Sequence, residues 1–263
     1  MRQKLISTII TTYNSSDVIV RTLDSIIPQL SDDDELLIFD DLSQDDTVYK
    51  ILNFLADKEI DYKLEVAAAN NGGPAAGRNW GIKCAVGVYI CFCDADDEWL
   101  AGKLITQVAF LKASNYDFCG TRCVVIGSKQ YPEFGGEVSI FSQCARNKFA
   151  LSTLMFKAAC FKTQGILFDE RKSYHAVEDY ELILRLYWRG YRGFVIHSLL
   201  VNYYHTATSL SHLNIKEGEL KRILVLKNFK AANLYQMAFV KFIIFVLETR
   251  IVYNELRDYF RKF

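Results

Sequence analysis

The sequence predicts an α/β protein: a mostly parallel sheet with helices on both faces, followed by a helical C-terminal extension. Over residues 1–115, short apolar and β-branched runs alternate with stretches of helical period. That alternation is the pattern of right-handed βαβ units with a buried parallel sheet. From Ile215 to Phe263 the spacing reads as helical, and ten Lys/Arg stand against five Asp/Glu in a chain with no net charge. The expected division is therefore a catalytic-type α/β domain over 1–214 and a basic, apolar helical extension over 215–263.

Leu5 to Thr11 is the first expected strand, and Ser15, Ser16 and Asp17 offer capping oxygens for a helix over 18–30. "ELLIFDD" is a second strand. Val48, Ile51, Leu52 and Leu55 form a helical stripe, and Tyr62 to Val66 is a third strand. "AAGRNWGIKCAV" reads as a helix, Tyr89 to Cys93 as a strand, and Leu104, Val108 and Leu111 as the stripe of another helix. Residues 117–168 are less regular, and "CGTRCVVIGSKQYPEFGGEV" predicts a hairpin with a Gly-rich loop. A strong helix follows at "VEDYELILRLYWRGYR", and the remainder reads as helical.

At 263 residues, 51% hydrophobic and 24% charged, the chain is long and apolar enough to bury a large core. The balanced charge disfavours a nucleic-acid partner. Seven cysteines lie without zinc spacing, Cys91 and Cys93 two apart as on one strand face, so reduced core thiols are expected. The N-terminal apolar stretch is too short for a signal peptide and carries no small-residue cleavage site, so a reducing cytoplasm is the expected compartment.

Open α/β sheets bind ligands beyond the carboxyl ends of their strands. Here those ends are polar: "TTYN", Asp40 and Asp41, "NNGG", and the triplet Asp94, Asp96 and Asp97. Carboxylates crowded without a basic neighbour repel one another unless a cation sits among them, and an oxygen-only set suits Mg2+ or Mn2+. The competing reading is that Asp96 and Asp97 cap the next helix. "NNGGPAAG" fits neither a dinucleotide-binding fingerprint nor a P-loop; it serves equally as a plain turn with a helix start at Pro74.

Taken in order, "ISTIITTYN", "LLIFDDLSQDDT", "NNGGPAAGRNWGI", "YICFCDADDEW" and "AVEDYELILRLYWRGY" resemble the inverting glycosyltransferases of family 2, which have the Rossmann-like GT-A fold and use a nucleotide-activated sugar. The resemblance implies that Thr11 and Tyr13 lie against the nucleobase and that Asp41 hydrogen-bonds its imide nitrogen. It matches Asp94 and Asp96 to the D-x-D pair that binds ribose and metal, with Asp97 a further candidate, and sets Arg78 near the diphosphate. A uracil imide offers one N–H between two carbonyls, which a carboxylate can read, so a UDP-sugar is the expected donor. Taken without the family, Tyr13 is a rim aromatic and Arg78 a surface salt bridge.

Asp179, Leu182, Ile183 and Leu186 fall at i, i+3, i+4 and i+7 of one helix face, from which Glu178 and Glu181 diverge. The resemblance implies that Asp179 is the catalytic base; the alternative is an acid complementing the helix dipole. His205, where relatives often carry Arg, is a departure that weighs as metal ligand or structural residue, and His175, near the base, reads equally as a participant or a bystander. Met237 to Leu247 is too short an apolar run to cross a bilayer. It reads either as an interfacial helix, which would put the chain peripherally on the inner membrane face beside a saccharide or lipid-linked acceptor, or as a helix packed on the catalytic domain or in a homodimer. The expected function is sugar transfer in bacterial surface polysaccharide or lipopolysaccharide assembly. A nucleotidyltransferase would want an extra basic triphosphate loop, which is not found, and a non-catalytic sugar-nucleotide binding module fits poorly with an intact set of Asp41, Asp94, Asp96 and Asp179.

Overall fold

The computed structural model describes residues 4–127, 134–204, 215–229 and 234–260, and its described strands form one sheet. Strands β1 (Ile6–Thr12), β2 (Asp34–Asp40), β3 (Tyr62–Val66) and β4 (Tyr89–Asp94) are parallel in the order β3, β2, β1, β4. Side-chain alternation sends Ile9, Leu37, Ile90 and Phe92 to one face, and Ile6, Ile10, Leu36, Ile38, Cys91 and Cys93 to the other. Helices α1 (Ile19–Ile26), α2 (Thr47–Leu55) and α4 (Lys103–Ala113) cover the second face. The first is covered by α3 (Ala75–Cys84), α6 (Ala159–Lys162) and α7 (Glu178–Trp188). All seven cysteines are free, and all but the half-buried Cys84 are buried.

Beyond β4 the sheet is mixed. Strand β8 (Met155–Lys157) runs antiparallel between β4 and β6 (Phe118–Ile126), and β6 pairs in parallel with β9 (Gly193–Tyr204). The far edge of β9 takes β5 (Glu98–Trp99) and β7 (Gly136–Val138), both antiparallel. Two expectations are corrected here. β6 and β7 are not a hairpin, because β9 lies between them. The sequence after α7 is not helical throughout, because "GFVIHSLLVNYY" is a strand; a β-branched and aromatic run with apolar residues on both faces has no decisive period. The Ser15 to Asp17 capping oxygens are also unused: α1 begins with no side-chain cap.

The tail forms α8 (Ile215–Asn228) and α9 (Leu234–Phe260). Val240, Ile243, Leu247 and Ile251 recur every three or four residues and bury one α9 face against Ile223, Leu226, Tyr180, Leu184 and Cys144, the last from α5 (Ile140–Ala145). Each such burial contributes about 2 kcal/mol. The opposite face of α9 exposes Tyr235, Phe242, Phe245, Val252 and Tyr253. Among the described residues no helix is long and apolar enough to cross a membrane.

Candidate active site

The parallel strands end together, and their loops are tied to one another. Thr11, half-buried, pairs in register with Asp94. Tyr13 follows with 48% of its surface exposed, available as a platform. The Asn14 N–H donates to Ser43 Oγ at 2.8 Å, and the Gln44 N–H donates to Asn14 Oδ1 at 2.8 Å, linking the ends of β1 and β2. Asn14, Leu42 and Ala176 hold positive φ angles of 47°, 65° and 67°. They lie next to Tyr13 and Asp41 and three residues before Asp179, where a non-glycine residue in this region stores strain. Asp40 is used within its own loop, accepting from the Ser43 N–H and hydroxyl. Asp41 is buried and takes 2.9 and 2.6 Å bonds from the Asn71 N–H and side-chain amide on Oδ1. Its Oδ2 shares only the 3.1 Å Asn71 N–H and retains acceptor capacity.

Arg78 ties the end of β4 to the start of α7, where its partner Glu178 lies 100 residues beyond Arg78 itself. Its Nη2 lies 2.7 Å from Asp94 Oδ1 at the end of β4, and its Nη1 lies 2.6 Å from Glu178 Oε1 at the start of α7. The guanidinium is buried, and the two carboxylates beside it hold it above its ordinary basicity against the cost of desolvation. This is a buried bridge rather than the surface pair that residue type alone suggests. Close helix packing puts it there: a Cβ on Gly77 would stand 2.5 Å from Phe39 Cδ1 and 2.8 Å from Thr11 Cγ2, so only glycine lets α3 lie this close to the strand ends. Glu178, off the apolar stripe of α7, is likewise buried, because Arg78 meets it there.

The Asp94 to Asp97 turn is not a helix cap. α4 begins at Lys103 after Gly102, with no side-chain cap. Asp97 is fully buried, accepting 2.5 Å from Ser152 Oγ and 3.0 Å from the Tyr204 N–H; burial, with Asp94 adding, pushes it well above the usual carboxylate range. It faces inward as a strut rather than outward as a ligand. Asp94 and Asp96 stay half-buried on the rim. Their fit to a divalent cation is consistent: Arg78 occupies one oxygen of Asp94, and two carboxylates suit Mg2+ or Mn2+, which complete their shells with water and substrate phosphate. No larger metal-ligating group occurs among the described residues.

Asp179 is half-buried beside this bridge. Its Oδ1 accepts 2.6 Å from the Tyr180 N–H and its Oδ2 accepts 3.0 Å from Asn147 Nδ2. Removal from water, with the Glu178 charge adding and Arg78 opposing, pushes it up to about 7. A carboxyl so placed can take a proton near neutrality. The His175 ring fills the space a Gly73 side chain would need, 2.9 Å from the ideal Cβ, and its carbonyl accepts from Lys221 of α8. His205 lies outside the described residues, as do 128–133 of the Gly-rich loop. The residues missed in the sequence are Glu178, Asn147 and Ser152. For Glu178 the signal was its place beside Asp179; the other two carry none.

Residues 7–172 match the profile described as Glycosyl transferase family 2. An Escherichia coli protein named UDP-Glc:alpha-D-GlcNAc-diphosphoundecaprenol beta-1,3-glucosyltransferase WfaP is 37% identical over 117 residues, which is 44% of each chain. The match thus spans less than half of that relative's length. The structure of S. aureus TarS 1-349 in complex with UDP-GlcNAc superposes with a TM-score of 0.74 at 21% identity, covering 90% of this chain and 70% of that one. A mannosyltransferase from Pyrobaculum calidifontis, PcManGT, in complex with GDP-Man and Mn2+, gives a TM-score of 0.66 at 16% identity over 93% of this chain and 73% of that one. Both superpositions carry the fold, which is of the GT-A type.

Proposed function

The chain belongs to glycosyl transferase family 2, and from that premise we propose that it moves one sugar from a UDP-sugar to a saccharide acceptor with inversion at the anomeric carbon. One observation carries the reading: Arg78 binds Asp94 and Glu178 together, so the strand-end carboxylates and the carboxyl of Asp179 belong to one site. Tyr13 and Thr11 flank the base, and the open oxygen of Asp41 accepts the imide N–H. Asp94 and Asp96 would hold Mg2+ or Mn2+, and such a cation would neutralise charge developing on the leaving diphosphate. Asp179 accepts the acceptor hydroxyl proton as that oxygen attacks from the face opposite the leaving group. Arg78 holds the two halves of the site in register, close enough to the leaving group to add positive potential.

The donor and acceptor named for the E. coli relative, UDP-glucose and a saccharide on a diphosphate lipid, support a lipid-linked acceptor in surface polysaccharide assembly. The apolar outer face of α9 supports peripheral contact with the membrane that carries such an acceptor, with the 215–263 extension as the docking element. Calorimetric titration of UDP and GDP, with Mn2+ or with chelator, on the native chain and on Asp96→Ala tests the donor site. Metal-dependent UDP binding lost in the variant is the expected result. Binding indifferent to both metal and substitution removes the D-x-D assignment.

A further inference from the structure

Asp179 is aimed by a side-chain relay that has no counterpart in the strand-end motifs. Asn147 Nδ2 donates to Asp179 Oδ2 at 3.0 Å. An amide can present either its nitrogen or its oxygen, and here the choice is fixed from behind. Asn147 Oδ1 accepts from Gln143 Nε2 at 2.9 Å and from the Phe149 N–H at 3.3 Å. Gln143 is fully buried, and its own Oε1 accepts from the Lys148 N–H at 3.0 Å, which fixes its amide in turn. Flipping Asn147 would set its NH2 against two donors and its carbonyl oxygen against a carboxylate. With the Tyr180 N–H on the other oxygen, each Asp179 oxygen receives one donor, which sets the carboxylate plane and leaves each a lone pair for a further proton.

We propose that Asn147, locked by Gln143, is the positioning residue that orients the Asp179 carboxylate toward the acceptor hydroxyl. The inference rests on Asp179 being the base. Asn147 donates only, so its bond is stronger to the ionised acid than to the neutral one, and it opposes the upward push from burial and Glu178. The relay also reaches another element: Gln143 belongs to α5, whose residues pack on the tail, so the base is oriented from the α5 and tail side rather than from the strand-end loops.

The titration arm of the test needs no knowledge of the substrate. Protein carrying 13C at the Asp side-chain carboxyl is titrated by NMR, with the Asp179 signal assigned by its loss in Asp179→Asn. Asn147→Ala is expected to raise the Asp179 midpoint by about one pH unit, the size of a hydrogen bond to a charged group. Gln143→Met, which keeps the buried volume and leaves Asn147 in place, is expected to move it the same way by less. Unchanged Mn2+-dependent UDP binding in both variants reports an intact fold. A midpoint unmoved in both variants overturns the proposal while leaving the base assignment standing. UDP-sugar turnover that survives Asp179→Asn overturns the base assignment itself, and the proposal with it.

Discussion

Replacing Arg78 with Met removes the cation that two carboxylates share and keeps most of the side-chain volume. Glu178 has a side chain only 7% exposed, so it cannot recover hydration without opening the first turn of α7, whereas Asp94, at 32%, can turn to water. Stripping a buried ion of its partner costs about 3–5 kcal/mol, while an exposed partner adds less than about 1 kcal/mol. Glu178 Oε2 already lacks a hydrogen-bond partner, so no local group is poised to compensate. A loss of about 3–4 kcal/mol is therefore expected, a large part of the roughly 5–15 kcal/mol that holds a domain folded. At about 2–4 °C per kcal/mol for a chain of this size, the midpoint of a thermal melt followed by circular dichroism at pH 7.5 should fall by roughly 6–16 °C. Arg78→Met with Glu178→Met should regain most of it, because the buried charge disappears with its partner. A single-variant loss under about 1 kcal/mol, or a double variant no better than the single, would refute the bridge as the strut of the site.

Asp179→Asn should separate activity from stability. The folded acid titrates at about 7 against an ordinary value of 3.8, so the folded state binds the proton more tightly and Asp179 costs stability as pH rises between those values. The variant should melt above wild type at pH 8 and converge with it near pH 4, while turnover drops about 10²–10⁴-fold; equal melts at both pH values would contradict the assignment. For the native chain, turnover should rise with pH through about 7 as the base ionises. Gly77→Ala should cost about 1–3 kcal/mol and weaken UDP binding by pushing α3 off Phe39 and Thr11, as checked by urea unfolding and titration. Phe242→Asp with Phe245→Asp should abolish co-sedimentation with anionic vesicles without lowering the melting midpoint; a native dimer that becomes a monomer in the variant, with vesicle binding unchanged, would assign the face to self-association instead.

The parallel half of the fold was legible because β1, β2 and β4 are short apolar runs ending in polar turns, buried on both faces, while the half-exposed β3 alternates at the sheet edge. The Asp94 to Asp97 turn could be located but not apportioned. Asp94 and Asp96 stay at the rim while Asp97 is drawn inward by Ser152 and the Tyr204 N–H, partners 55 and 107 positions away that no local spacing reveals. The same holds for Glu178, whose environment is decided by Arg78 across 100 positions. β9 was misjudged because its pairing with β6, β5 and β7 is wholly non-local. In α9 the sequence shows an apolar run but not which of its residues pack inward, and it left open whether that run meets a membrane, the catalytic domain or a second subunit; the stripe of Val240, Ile243, Leu247 and Ile251 is a finding of the structure.

The cysteines turn the molecule into its own unfolding clock. Cys160 lies in the core cluster on the α3 and α7 face, Cys91, Cys93, Cys119 and Cys123 in that on the α1 and α4 face, and Cys144 in the cluster formed with the tail. Burial pushes Cys91, Cys119 and Cys144 to about 12 and raises Cys160 and Cys93 as well, so hardly any thiolate exists at neutral pH while the structure is closed. An alkylating reagent therefore modifies each position only when its own cluster opens. Peptide-resolved labelling rates would show whether the three cores yield together or whether the one carrying α8 and α9 breathes first, as a helical appendage able to swing out toward a bilayer must.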